Sequence, residues 1–219
     1  MKRILFLSKC VPFASNFSGA SARYQQNYRA LADLGYAIRV VRIDDSSTLN
    51  ATHKSEMDLQ IPPPPSFDEA YAQNARPRNR WGRLSRLIRP FAHFFPEYRQ
   101  VSAFIKRHMM EFSPDLMWVE GTELAISVLH CNPEQNWVYS HTDTLYHLYG
   151  IRQRQRGPSA WLEKQSLRRA EEQVFRRVPF FMTGSTSVVE WVTQFRNRPT
   201  QFIPITYDLI PPSSAPFAQ

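Results

Sequence analysis

The fold is decided by the opening stretch of the chain, which reads Lys2-Arg3-Ile4-Leu5-Phe6-Leu7-Ser8. Its apolar centre, residues 4–7, shows no alternation of polar and apolar side chains, which is typical of a strand that is buried on both faces of a parallel sheet. Such a strand needs helices packed against both faces of its sheet, because neither face is left to water. The opening residues therefore predict an α/β fold.

A helix and a second strand follow the opening strand. One helical face is predicted from residues at matching spacing, namely Tyr24, Tyr28, Leu31 and Ala32. Gly35 stands where helices commonly end in a left-handed residue, and residues 38–43 read as the second strand. Together the three segments predict a β-α-β unit.

The remaining sequence continues this alternation. Further helices are predicted over residues 97–112, 122–130, 159–177 and 186–195, with Ser159 as the N-cap of the third of these. Strands are predicted over residues 116–119, 137–140 and 180–183, and an extended piece over 201–205. Strands separated by helices throughout predict one Rossmann-like domain over residues 1–205, with a doubly wound, mostly parallel sheet, and a linker or tail at 206–219.

The composition excludes several classes of protein. The chain has 219 residues, of which 42% are hydrophobic and 13% aromatic, so it can bury a core of its own and does not read as disordered. Cys10 and Cys131 lie far apart without a CxxC pair, which argues against a zinc site or a disulfide scaffold and favours reduced thiols. The apolar run at 4–7 is too short for a signal peptide or a spanning helix. We therefore expect a cytoplasmic protein.

Several motifs that would assign a chemistry are missing from the sequence. The G-x-G-x-x-G pattern of dinucleotide folds does not occur, which disfavours a nicotinamide enzyme. No G-x-S-x-G elbow supports a hydrolase, and neither H-E-x-x-H nor a Cys/His quartet offers ligands to a metal. We expect no metal and no cofactor.

Candidate site residues lie in the loops beyond the carboxyl ends of the predicted strands, where open parallel sheets bind ligands. These loops contain Ser18, Gly19 and Ala20, then Glu120 and Gly121, then His141 and Asp143, and finally Ser185. His141 and Asp143 are the candidate catalytic pair, since a carboxylate two residues away can orient an imidazole that acts as a base. The alternative is a histidine that is hydrogen-bonded for structural reasons.

The other loop residues are candidates for substrate binding. The stretch Ser18-Gly19-Ala20 puts small residues and free N–H groups at a helix start, which suits a phosphate or a sugar hydroxyl, although a flexible β-α turn explains it equally well. Glu120 can bind hydroxyl groups beside Gly121, but a surface carboxylate at the start of the next helix is the favoured interpretation. Ser185 is expected to act as an N-cap, with substrate binding as its other candidate role.

A basic segment, residues 76–107, holds nine Lys or Arg residues and one Glu, a surplus equal to the net charge of +8 of the whole chain. The candidate membrane-binding or anion-binding residues within it are Arg80, Trp81, Arg83, Arg86 and Arg89. Basic residues interleaved with apolar ones are typical of an amphipathic segment on an anionic lipid surface. A solvated face that packs its apolar side on the domain explains them equally well. Nucleic acid ranks behind both, because no nucleic-acid fold motif accompanies the charge.

The order of these features resembles the N-terminal domain of retaining glycosyltransferases of GT-B fold, of the family 4-like group. The resemblance is carried by the opening strand, the Ser18-Gly19-Ala20 loop, residues 34–40 and 114–119, the strand ending at His141, the stretch 163–185 with Glu163, Arg169 and Ser185, and the crossover at 203–208. Two departures occur: the family usually has two glycines where this chain has Gly19, and asparagine-glycine where it has Thr206-Tyr207.

The resemblance implies an acceptor-binding domain. It implies that a sugar passes from a nucleotide-sugar to a glycan or lipid-linked acceptor, with the donor held by a missing second domain or a partner chain. It further implies that the Gly19 loop faces the donor phosphates and the acceptor, that His141 lies beside the acceptor hydroxyl, and that the isolated chain binds without turnover. The alternative is a non-catalytic α/β module that binds anionic ligands, a membrane surface or nucleic acid.

Overall fold

The chain folds around one parallel β-sheet. The computed structural model describes residues 1–9, 19–45, 67–72, 98–131, 136–142 and 158–204. Within these ranges the strands are β1 (Arg3–Ser8), β2 (Ala37–Asp45), β3 (Phe67–Ala72), β4 (Leu116–Glu120), β5 (Trp137–His141), β6 (Phe180–Thr183) and β7 (Thr200–Phe202). The helices are α1 (Gly19–Asp33), α2 (Tyr98–Phe112), α3 (Thr122–Cys131), α4 (Pro158–Arg177) and α5 (Thr186–Thr193).

The strands are arranged in the order β3-β2-β1-β4-β5-β6-β7, and every neighbouring pair is parallel. Because β1 lies between β2 and β4, the chain winds first to one side of β1 and later to the other. The gap between the carboxyl ends of β1 and β4 is therefore the topological switch point, where sheets of this kind bind ligands. This topology confirms the predicted doubly wound, Rossmann-like α/β fold.

Both faces of β1 are buried, as its apolar run predicts. Leu5 and Leu7 belong to a large core with side chains from α2, α3, α4 and α5. Ile4 and Phe6 belong to a smaller core with side chains from α1. Since successive strand residues point to opposite faces, α1 packs on one face of the sheet and the other four described helices pack on the opposite face.

The differences from the predicted elements have local causes. Ala32 is exposed, because the buried stripe of α1 ends at Leu31. Ser159 is not an N-cap: α4 begins at Pro158, whose fixed φ suits a first helical position, so Ser159 lies inside the helix. The edge strand β3 was not predicted, since its pairing with β2 supplies a constraint that is absent from its own sequence. Residues 76–97 and 205–219 lie outside the described residues.

Helix α4 has 20 residues and is the longest described helix, but it is strongly charged along its length. Among the helices that the structure describes, none combines the length and the apolar composition that crossing a membrane requires.

Gly35 follows α1 and has the left-handed conformation that its position predicted, with φ of +77°. A Cβ atom built there meets nothing within 4 Å, so only the backbone conformation opposes a larger residue. We expect Gly35→Ala to lower the free energy of unfolding by about 1 kcal/mol, and Gly35→Asn by less, because asparagine tolerates this conformation better. Urea denaturation measures both changes. An unchanged denaturation midpoint for Gly35→Ala would contradict this assignment.

Candidate functional site

The carboxyl ends of β1, β4 and β5 lie side by side at the switch point, and residues from α1 contact the ends of β4 and β5. Polar residues gather there although the faces of the sheet are largely apolar. Among them are Ser8, Glu120 and Ser140, all with 0% relative exposure. Buried polar groups need hydrogen-bond partners, so their positions are tightly constrained.

Glu120 lies at the centre of a buried polar network beneath this edge. Its Oε1 accepts hydrogen bonds from Asn27 Nδ2 and from Trp118 Nε1, each at 2.7 Å. Asn27 Nδ2 also donates to Ser140 Oγ at 3.1 Å, and Arg23 Nε donates to the same oxygen at 3.2 Å. These residues, Arg23, Asn27, Trp118, Glu120 and Ser140, are called the α1 network below. They join helix α1 to strands β4 and β5.

The α1 network also reaches the point where the chain leaves the sheet. Arg23 Nη1 donates to the carbonyl oxygen of Ile203 at 3.3 Å. The backbone N–H of Ile203 donates to the carbonyl oxygen of Thr183 at 2.9 Å, which extends the pairing of β6 and β7 by one step. A single side chain of α1 therefore contacts a residue 180 positions further along the chain.

Burial governs the charges of the α1 network. Glu120 is 0% exposed and Arg23 is 1% exposed. Burial raises the pKa of the Glu120 carboxyl, while its hydrogen bonds and the charge of Arg23 act in the opposite direction. Burial lowers the pKa of the Arg23 guanidinium, and the charge of Glu120 acts against that change. The two charges therefore compensate each other across the hydrogen bonds that lie between them.

A second polar group lies at the switch point and reaches solvent. Lys9 Nζ and Glu123 Oε1 form an ion pair at 3.0 Å, with side chains 32% and 22% exposed. Gly121 has φ of +97°, and a Cβ atom there would lie 3.7 Å from the Tyr24 hydroxyl and 3.9 Å from Glu123 Oε2. Those are ordinary contacts, so the positive φ is what favours glycine. Lys9, Tyr24, Gly121 and Glu123 are called the switch-point group, which offers an ammonium and a carboxylate to a ligand.

His141 ends β5 on the face opposite to α1. Its Nδ1 lies 3.3 Å from Thr183 Oγ1, and its ring lies 5.4 Å from the ring of Phe175 and 5.8 Å from those of Tyr139 and Phe181. The residue is 0% exposed. The imidazole is therefore enclosed and does not line an open edge, which favours the structural interpretation of this histidine. Asp143, its predicted partner, lies outside the described residues.

The structure corrects the favoured interpretation of Glu120 and details other predictions. Glu120 is not a surface carboxylate, because the α1 network encloses it.

Gly19 and Ala20 are the first residues of α1, whereas Ser18 lies outside the described residues. Ser185 occupies the N-cap position of α5, yet its hydroxyl bonds to that of Ser187 at 2.9 Å and makes no cap hydrogen bond. The predicted basic residues Arg80, Trp81, Arg83, Arg86 and Arg89 also lie outside the described residues.

The site residues that were not singled out from the sequence include Arg23, Asn27, Lys9 and Glu123. Arg23 and Asn27 are four positions apart and next to Tyr24 and Tyr28, so a polar stripe beside the buried stripe of α1 was a usable signal. Lys9 and Glu123 gave no such signal, because their 114-residue separation closes only when β1 and β4 become neighbours. In the described part of the chain, no group of three or more His, Cys, Asp or Glu residues could hold a metal ion.

Comparison with known proteins gives a match at the level of structure. Neither a scan against protein-family models nor a search of curated proteins gives a match. Sucrose-phosphate synthase of Thermosynechococcus elongatus matches with a TM-score of 0.58 and 14% identity, over 93% of this chain and 48% of that protein. UGT2 of Phytolacca americana, complexed with UDP-2fluoro-glucose and pterostilbene, matches with a TM-score of 0.51 and 10% identity, over 94% of this chain and 55% of that protein.

A third solved structure, UGT71G1 of Medicago truncatula complexed with UDP-glucose, matches with a TM-score of 0.50 and 10% identity, over 94% of this chain and 52% of that protein. The chain thus spans about half the length of these structures. At such identities the likeness concerns the fold. The fold is that of one half of a GT-B glycosyltransferase.

The buried carboxyl of Glu120 predicts a pH-dependent stability. Its folded pKa is raised above an unfolded value of about 4.3, so the folded chain binds more protons and loses stability as the pH rises above that value. Glu120→Gln keeps an oxygen acceptor but does not ionise. We expect the stability of this variant, relative to the native chain, to improve from about pH 4 to about pH 7 in urea denaturation.

Glu190→Gln, at an exposed position on α5, is the matched control and should show no such change. Equal pH dependence for the two variants would contradict the enclosure of Glu120.

Proposed function

We propose that this chain is the acceptor-binding, N-terminal domain of a retaining, family 4-like glycosyltransferase of GT-B fold. The complete or partnered enzyme would transfer a sugar from a nucleotide-sugar to a glycan or lipid-linked acceptor, of the kind used in polysaccharide biosynthesis. The observation that carries the proposal is the match of nearly the whole chain to about half of two-domain glycosyltransferases, among them one complexed with UDP-glucose.

The switch-point group supports acceptor binding at the carboxyl edge of the sheet. Lys9 and Glu123 present opposite charges 3.0 Å apart and partly exposed, so the pair is neutral and offers both donors and acceptors. Sugar hydroxyls both donate and accept hydrogen bonds, whereas a phosphate only accepts them and would meet the Glu123 carboxylate. The edge therefore suits a neutral hydroxylated acceptor, with the anionic donor held by a second domain or a partner chain.

The residues predicted from the sequence enter this proposal with different roles. The Gly19 loop would position the acceptor by hydrogen bonds from the start of α1. Glu120 would support the site without touching the acceptor, since its contacts with Asn27 and Trp118 orient the end of β4 beside Gly121. Asp143 is proposed to flank the acceptor hydroxyl beyond the end of β5, with Ser185 at the end of β6. The enclosed His141 would support the end of β5 without contacting the acceptor.

Saccharide binding tests the proposed acceptor site. We expect saturation-transfer NMR to detect binding of neutral sugars, with glucose, mannose and maltose as probes, to the purified chain. The double variant Lys9→Met with Glu123→Gln should weaken binding about tenfold, because two charged hydrogen-bonding groups are lost.

Arg168→Met with Glu172→Gln is the matched control, since it removes an ion pair of 2.8 Å within α4 and should leave sugar binding unchanged. Equal sugar binding by the native chain and the Lys9 and Glu123 variant would contradict the proposed site.

A turnover assay tests the proposal that this chain binds the acceptor while the donor is bound by a second domain or a partner chain. Incubation of the purified chain with UDP-glucose and maltose should give no transferred sugar, because the donor is held elsewhere in this proposal. Product formation at ordinary enzyme rates of about 1–1000 per second would contradict it.

A second candidate function is binding to an anionic surface. The observation that favours it is the outer face of α2, where Arg99, Lys106 and Arg107 are exposed together with Met110. Arg99, Lys106 and Arg107 form the carboxyl-terminal part of the basic segment, residues 76–107. Under this proposal the protein is cytoplasmic and binds peripherally to the inner face of a membrane, with nucleic acid as the less favoured partner.

Co-sedimentation with vesicles that contain phosphatidylserine tests this second function. We expect Arg80, Arg83, Arg86 and Arg89, all changed to alanine, to lower vesicle binding at least about tenfold, because each basic residue contributes about 1 kcal/mol at such a surface. The control changes Lys2, Arg169, Arg177 and Arg198 to alanine, which removes the same charge from exposed positions elsewhere. Equal loss in both variants would show a net-charge effect and would contradict a localised membrane surface.

A further inference from the structure

Arg23 is an unusual residue to find at 1% exposure in the middle of this edge. Arginine side chains are rarely fully buried, because loss of hydration disfavours the charged group unless other groups compensate it. Here the compensation comes from Ser140, from the Ile203 carbonyl and from the charge of Glu120. The guanidinium thus spans α1, β5 and the segment that leaves the sheet.

We propose that Arg23 is a positioning residue that fixes where the chain leaves the sheet at Ile203. Ile203 is held on two sides, since its N–H donates to Thr183 at 2.9 Å and its carbonyl accepts from Arg23 at 3.3 Å. Pro204 follows and has no N–H to continue the pairing with β6. After the short strand β7, the contact with Arg23 therefore fixes the position of Ile203 and of the Pro204 that follows it.

A second observation concerns the other terminal nitrogen of Arg23. Its Nη2 is buried and has no hydrogen-bond partner among the residues that the structure describes. A buried donor without a partner costs free energy, and this one lies beside the exit of the chain. The guanidinium bears this cost at the position from which it also holds Ile203.

An effect of Arg23 on sugar transfer depends on the proposed function, whereas its effect on the position of Ile203 does not. The α1 network connects Ile203 to Glu120, which precedes Gly121 of the switch-point group. If the chain beyond residue 204 leads to the donor-binding partner, Arg23 sets the distance between that partner and the acceptor site. Loss of Arg23 would then reduce transfer in the partnered enzyme without removing acceptor binding.

Amide hydrogen exchange followed by mass spectrometry tests the fixed exit in the purified chain. Arg23→Met keeps much of the side-chain volume and removes every donor. Peptides that cover residues 200–204 should exchange at least about tenfold faster in this variant, while peptides from β1 and α3 keep their native rates. Arg23→Lys should give a smaller acceleration, because a single ammonium cannot hold both Ser140 and Ile203 in the same geometry.

Arg42→Met is the matched control. Arg42 is a buried arginine, 7% exposed, whose Nε donates to the backbone carbonyl of Lys9 at 3.4 Å, just after β1. Its substitution should leave the ratio of exchange rates between residues 200–204 and α3 unchanged.

The outcomes separate this inference from the proposed function, because the exchange experiment needs no sugar. Uniform acceleration across the chain in Arg23→Met, or failure of both Arg23 variants to fold, would overturn a positioning role and make Arg23 a general folding element. Loss of sugar binding with a normal exchange result would overturn the acceptor site alone.

Discussion

The structure depends on the burial of both faces of β1. Because Ile4 and Phe6 face one core and Leu5 and Leu7 face the other, β1 must lie in the interior of the sheet with helices on each side. In the observed order β2 and β4 lie on either side of β1, and the switch point lies between β1 and β4. The proposed ligand-binding edge therefore lies at the end of the most deeply buried strand of the N-terminal part of the sheet.

The second constraint is the need to satisfy polar groups that this arrangement buries. Helix α1 packs its apolar stripe against β1, and the same helix brings Arg23 and Asn27 over the ends of β4 and β5. Glu120 and Ser140 meet them there, so opposite charges lie close together inside the domain and are joined by hydrogen bonds. The outer group, Lys9 with Glu123, is left at the surface of the same edge, where a ligand can reach it.

The sequence was sufficient to predict the α/β class and most of its elements, because local periodicity reveals each of these elements. The run at residues 4–7, the stripe through Tyr24 and Tyr28, and Gly35 each report on their own neighbourhood. The site depends on pairs such as Arg23 with Ile203, which only the strand order brings together. His141 illustrates the difference: its place at a strand end was predictable, but its enclosure by Phe175 and Phe181 depends on the packing of α4 and β6.

The central claim is that the carboxyl edge at the switch point is the acceptor-binding wall of a glycosyltransferase. Amide NMR spectra of the isotopically labelled chain, recorded with and without maltose, test it most directly. The account predicts that the resonances of Lys9, Gly121 and Glu123 shift while those of Trp137 and Phe180, at the amino ends of β5 and β6, do not. Shifts confined to the amino ends of the strands, or no shifts at all, would contradict the account.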